Sequence, residues 1–278
     1  MNNTKLIGLG DRMKQYEKVT ELKIQNDRPL IVRLDGKCFS KFTKGLKKPF
    51  DNNLSKVFIK VCEDLLQQYN PEFIFHQSDE ISLVFFQHQS TSKKIKDTSQ
   101  NNEGWCYLHG GRVQKISSIM AGFVSARFNY WLCSSGFPNS NYSQSTLDRM
   151  YSGRAYFDAR VFNVSNEMEV YNYIYWRSIH DCQRNSISNL ARQYFSSKQI
   201  HRKNTITQKK MLLDKGIDWN KFPESFKYGI FLKKSKYILN EKTENECIRT
   251  KPKIFYLNLS KEKEIDAVLQ LFKSKYFK

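Results

Sequence analysis

The sequence contains no run approaching the roughly 20 apolar residues that a bilayer-crossing helix needs, and its first residues, MNNTKLIGLGDRMKQYEK, hold no apolar segment of signal-peptide length. The expectation is a protein that is neither secreted nor membrane-spanning. Cysteine is sparse and scattered: Cys38, Cys62, Cys106, Cys133, Cys182 and Cys247 form no CxxC pair, which argues against a zinc ribbon and against a disulfide framework. They read as reduced thiols of an intracellular protein. Acidic residues are in deficit, 27 against 46 lysines and arginines, for a formal charge of +19. Such an excess binds polyanions by releasing their counterions, so nucleic acid is the first partner to consider. There is no internal repeat and no clear linker.

What is present is enough for a folded core. The 278 residues are 40% hydrophobic and 14% aromatic, which offsets the entropy of ordering and excludes a disordered chain. That length suits one large domain or two closely packed ones.

Hydrophobic patterning then supplies an element order. Leu30 to Leu34 read as a strand ending at Asp35-Gly36. Leu54, Val57, Phe58, Val61, Leu65 and Leu66 recur at helical spacing. Phe73 to Phe75 and Ile81 to Phe85 flank the polar turn Gln77-Ser78-Asp79-Glu80 and read as a hairpin. Residues 87 to 103 lack periodicity and read as an exposed, mobile loop. A long helix fits Arg112 to Cys133, stopped by Gly136-Phe137-Pro138, and a strand fits Tyr156 to Val164. This order is the split βαβ, or ferredoxin-like, arrangement. Residues 165 to 215 read as consecutive helices beginning at the candidate cap Ser165. The expectation is an α/β (α+β) protein with a βαββαβ core in residues 1–164 and a helical, basic part in residues 165–278, packed as one compact unit.

In that topology the first and third strands are antiparallel neighbours, which brings Asp35 near Asp79. Two close carboxylates repel unless a cation lies between them, so a divalent metal site is the natural hypothesis. Gly36 lets phosphate or metal approach the backbone, and its carbonyl is a further hard oxygen donor. Oxygen-only ligation suits magnesium, and a magnesium pair suits in-line nucleotidyl transfer.

The runs IVRLDGKCFSKFTKG, KKPFD, QSDEISLVF, GGRVQKISSIMAGFVSARF, FDARVF and NYIYWRSIHDCQRNSI resemble the tRNA-His guanylyltransferase superfamily, whose members extend RNA in the 3′ to 5′ direction. The match covers roughly residues 8 to 235. The resemblance implies a polymerase-like palm, a homotetramer, and tRNA and nucleoside triphosphates as partners. It implies that Asp35 and Asp79 ligate two magnesium ions together with the Gly36 carbonyl, with Glu80 counted beside them as catalytic. Lys37, Cys38 and Phe39 are expected along a triphosphate, with Ser78 also nucleotide-binding, and Ser40 and Asp51 around the base and sugar of the activating ATP or GTP. Arg112, Lys115, Ser118 and Arg160 match positions near the triphosphates. Arg12, Lys14, Arg184 and Asn185 are expected at a second triphosphate or at RNA.

One absence within the resemblance is informative. Eukaryotic enzymes that add guanosine to tRNA-His carry an HINN motif after the WR helix, whereas this sequence has Gln183-Arg184-Asn185-Ser186. That implies the guanylyltransferase-like branch, which performs templated 5′-end repair of truncated tRNA. The alternatives are a guanylyltransferase proper that adds a single 5′ guanosine, a cyclase or forward polymerase on the same carboxylates, and a non-catalytic RNA-binding protein. The expected location is the cytoplasm, with the mitochondrion as the alternative.

Overall fold

The computed structural model describes residues 8–86, 108–134, 142–239, 247–261 and 265–277. The sequence-predicted loop at 87–103 and the Gly136-Phe137-Pro138 stop lie outside them.

The chain begins with helix α1 (Leu9–Lys18), then strand β1 (Leu30–Gly36), the short α2 (Phe39–Phe42) and α3 (Asn52–Tyr69). Strands β2 (Phe73–Gln77) and β3 (Glu80–Phe85) form the hairpin, followed by α4 (Val113–Ser134), α5 (Gln144–Met150) and β4 (Phe157–Asn163). Helix α6 (Glu167–Tyr175) runs through a π-helical segment, Trp176–Cys182, into α7 (Gln183–Tyr194). Helices α8 (Ser197–Ile200), α9 (Thr205–Asp214) and α10 (Glu224–Tyr228) lead to strands β5 (Ile230–Leu239) and β6 (Cys247–Phe255) and helix α11 (Ile265–Lys273).

The strands form one sheet in the order β4-β1-β3-β2-β5-β6, every neighbouring pair antiparallel. Its first four strands have the order expected for the split βαβ arrangement. Alternation along β1 explains the two layers. Leu30, Val32 and Leu34 face a core shared with α3 and α4, where Phe58, Leu65, Met120 and Phe128 are buried. Ile31 faces the opposite core, with Val170 and Ile174 of α6 and Phe272 of α11. Arg33 and Asp35 share the face of Ile31 but lie beyond the end of that apolar layer.

The expectation of a helical C-terminal part is corrected by β5 and β6, which continue the sheet past β2. Their signal is masked by lysine. In β5 the run Ile230-Phe231-Leu232 is buried on both faces, yet Lys233, Lys234 and Lys236 interrupt any alternation. Lys233 is completely buried, its Nζ donating to the carbonyls of Leu271 and Phe272 at 2.5 and 3.0 Å, where it caps the C-terminal end of α11. The start of α6 also differs by one residue: the cap is Asn166, whose side chain accepts from the Glu169 amide at 3.0 Å, not Ser165.

Candidate active site

The β1 and β3 ladder sets the site. Asp35 pairs in register with Glu80, and the Gly36 amide donates to the Asp79 carbonyl at 3.2 Å, so Asp35 and Asp79 meet at one sheet end as the topology predicts. The β2–β3 turn is tight: Ser78 has φ +52°, and its hydroxyl donates to Asp79 Oδ1 at 3.0 Å. Burial pushes the Asp79 carboxyl above its ordinary value, and the Asp35 charge adds to that, against the Ser78 hydrogen bond. A pair of carboxylates in that state would be relieved by a cation. Among the described residues no group of three or more acidic, histidine or cysteine side chains could hold a metal alone. Magnesium commonly takes only one or two carboxylates and completes its shell with water and substrate phosphate, so the donors present fit it.

Glu80 does not join this pair. Only 6% exposed, it receives Arg177 through Nε at 2.7 Å and through NH2, while Arg33 Nε lies 3.6 Å from its Oε2. The structure gives Glu80, expected as catalytic, these ion-pair partners. Arg33 also donates to Asp35 Oδ2 at 3.1 Å, and Arg177 pairs on with Asp181, which in turn accepts from Arg184 at 2.7 Å. A continuous chain of charges therefore runs from Asp35 to the start of α7. Arg33, Arg177 and Asp181 were not singled out from sequence. The available signal was Arg33 two residues before Asp35 in an apolar strand, which puts both on one face.

Gly36 is required for a reason the sequence did not disclose. A Cβ there would stand 2.3 Å from the Phe39 ring, so the absent side chain admits Phe39. Phe39 is 4% exposed and packs against Phe42, Phe58, Phe128 and Phe157 in the core beneath the loop. Cys38 takes the left-handed conformation at φ +55°.

Beside the carboxylates opens a cavity of about 530 Å³, bordered by Gly36, Cys38, Phe39, Ser40, Asp51, Ser78, Asp79 and Asn185 from the predicted set. Asp51 borders it with a fully committed carboxylate. Oδ1 accepts from the Asn53 and Leu54 amides at 2.9 and 3.2 Å, capping α3, and Oδ2 accepts from the Lys47 amide and the Tyr142 hydroxyl at 3.0 and 2.7 Å. These bonds fix that part of the wall. Residues that sequence did not suggest also border the space: His76, Asn189, Phe50 and Phe226, the last two with ring centroids 5.1 Å apart. Asn189 sits one helical turn after Asn185 on α7, which would have been readable as a polar pair on one face.

Three of the remaining predicted cations gather in a second place. Lys14 of α1 joins Arg112, Lys115 and Ser118 at the start of α4 around a separate cleft of about 470 Å³. Arg12 is exposed on α1 and Lys37 is exposed after β1, and neither borders the two cavities. Arg160 is exposed on β4 opposite Arg33, and Arg184 is exposed and paired with Asp181.

With this geometry in view, the comparisons are consistent. The family model described as tRNAHis guanylyltransferase matches residues 10–165. An uncharacterized protein of Acanthamoeba polyphaga mimivirus is 35% identical over 97% of this chain and 90% of its own length. Among solved structures, a bacterial tRNA(His) guanylyltransferase-like protein in complex with ATP superimposes with a TM-score of 0.73 at 29% identity, covering 96% of this chain and all of the other. A bacterial protein of the same description in complex with GTP gives 0.69 at 28% identity, covering 96% and 99%.

Proposed function

Since the chain belongs to the tRNAHis guanylyltransferase family of nucleotidyltransferases, we propose that it rebuilds truncated tRNA 5′ ends by templated 3′-to-5′ nucleotide addition. The observation that carries this reading is that Asp79 and Gly36, the neighbour of Asp35 in β1, meet at the edge of a cavity large enough for a nucleotide. The Gln183-to-Ser186 segment, in place of HINN, supports the repair branch, and Asn185 of that segment borders the cavity.

Two displacements at phosphorus make up the reaction. A tRNA 5′-monophosphate oxygen attacks the α-phosphorus of ATP or GTP, pyrophosphate leaves, and a nucleotide-capped 5′ end results. The 3′-hydroxyl of an incoming nucleoside triphosphate then attacks that capped phosphate and the nucleoside monophosphate leaves. Asp35 and Asp79, with the Gly36 carbonyl, would hold two magnesium ions, whose chemistry is to neutralise phosphate charge and lower the pKa of an attacking hydroxyl. Ser78 orients Asp79, and Arg33 orients Asp35. Lys14, Arg112, Lys115 and Ser118 hold phosphate at the second cleft by charge-assisted hydrogen bonds. Base choice falls to pairing with the opposite acceptor strand.

A homotetramer is retained as the assembly. Its support is α1, no residue of which is buried, with Leu9, Met13 and Tyr16 exposed at helical spacing as a second copy would cover them. No helix among the described residues is long and apolar enough to cross a membrane, and the cytoplasm remains the proposed location. The test is incubation with a 5′-truncated tRNA, ATP and each nucleoside triphosphate, mapping the product's 5′ end. A single guanosine added only to full-length tRNA-His would favour the guanylyltransferase proper.

A further inference from the structure

His76 lies in β2 with 4% of its surface exposed, its ring stacked on Phe58 with centroids 4.8 Å apart and planes 24° from parallel. Its Nδ1 is 3.0 Å from the Glu80 backbone oxygen. A carbonyl oxygen can only accept, so Nδ1 carries the proton and donates, and in the neutral ring Nε2 is left with a bare lone pair. Nothing among the described residues donates to Nε2. It is not sealed away either, because the buried, unpartnered side-chain nitrogen and oxygen atoms are Arg33 Nε and Gln208 Oε1. The open space the ring borders is the 530 Å³ cavity.

Phe58 stacks on the His76 ring and Ile230 lies opposite it across the β2–β5 ladder; Leu46, Leu54 and Phe226 also line the cavity, together with polar Gln77, Asn185 and Asn189, while Gly36, Ser78 and Asp79 border it at the carboxylate end. Apolar side chains beside an unpartnered ring nitrogen suit a nucleobase whose phosphates extend toward the carboxylates. We propose that His76 selects the base of the activating nucleotide, its Nε2 accepting a hydrogen bond from the 6-amino group of adenine. The inference rests on the nucleotidyl-transfer reading of this cavity and adds the preference for ATP over GTP. Guanine carries an oxygen at the same ring position, and two lone pairs would then face each other. A site built around one hydrogen bond rejects a ligand that lacks it because the buried polar atom is left unpaired. Burial lowers the ring's pKa to about 4, so the acceptor persists at neutral pH.

The test is equilibrium binding of ATP, purine riboside triphosphate, which lacks the amino group, and inosine triphosphate, which carries oxygen there. Wild-type protein is compared with His76→Phe, which keeps a flat ring and removes the acceptor. Wild-type protein should bind ATP about tenfold to a hundredfold more tightly than either analogue, and the variant should bind all three alike. Equal binding of the three by wild-type protein would overturn the inference, as would an undiminished preference in the variant. Circular dichroism checks the variant's fold; should it not fold, the wild-type nucleotide series decides alone. A preference for the 6-amino group in a protein that adds no nucleotide to truncated tRNA would leave this inference standing and remove the polymerase reading.

Discussion

Asp35 and Glu80 face each other across the β1–β3 ladder, and their carboxylates have opposite fates. Glu80 is closed in by Arg177 and Arg33, whereas Asp35 keeps about a third of its side chain exposed and only one oxygen on Arg33. Two adjacent acids thus divide the work, one holding the site together and one left available to a cation.

Removing the available acids should therefore cost activity and not the fold. Asp35→Ala and Asp79→Ala are each expected to lower nucleotide addition by at least about a hundredfold, the scale for loss of a principal electrostatic stabiliser. Their far-ultraviolet circular dichroism should match that of the unaltered protein. Near-normal turnover in both would contradict the assigned metal ligands.

The reverse pattern is expected at Glu80. Glu80→Gln removes one of the two anions that each of Arg177 and Arg33 faces, which should destabilise the protein by about 3 kcal/mol while turnover well below the melting temperature persists. Urea midpoints and rates on the same samples check this. Unchanged stability with a hundredfold loss of turnover would return Glu80 to the catalytic group.

His76 predicts a pH dependence of stability. Burial lowers its pKa from 6.5 to about 4 on folding, so the unfolded chain takes up the proton first. The contribution is complete above pH 6.5 and is lost as the pH falls from 6.5 toward 4, on the order of 3 kcal/mol in all. Urea unfolding between pH 4 and 7 should show this slope, reduced in His76→Phe. Parallel curves for the two proteins would mean that His76 is protonated while buried.

RNA affinity should fall steeply with salt, because a chain of charge +19 releases counterions from the phosphates it neutralises. If Arg112 and Lys115 touch phosphate in their cleft, replacing either with alanine should reduce the logarithmic salt slope by about 1. An unchanged slope in both would make the cleft a solvated surface.

Patterning made the first four strands and the meeting of Asp35 with Asp79 legible, because alternation and turn chemistry are local and the antiparallel pairing follows from the order. Strands β5 and β6 were hidden because their lysines imitate a solvated surface, and Lys233 is buried only through carbonyls of α11, some 38 residues later. The partners of Glu80 and Asp51 were not legible for a related reason. A carboxylate in a turn reads alike whether it binds metal, an arginine 97 residues away or a helix terminus, and only the packed chain chooses.

The central claim is that Asp35 and Asp79 serve templated addition at an RNA 5′ end. The direct measurement is the 5′-terminal sequence of a truncated tRNA after incubation with protein, magnesium, ATP and all four nucleoside triphosphates, run beside the Asp79→Ala protein. The expected product regains the nucleotides complementary to the opposite acceptor strand, through an adenylylated 5′ intermediate, in the unaltered protein alone. Recovery of the RNA with its 5′ end unchanged, or with nucleotides added at its 3′ end, would contradict the account.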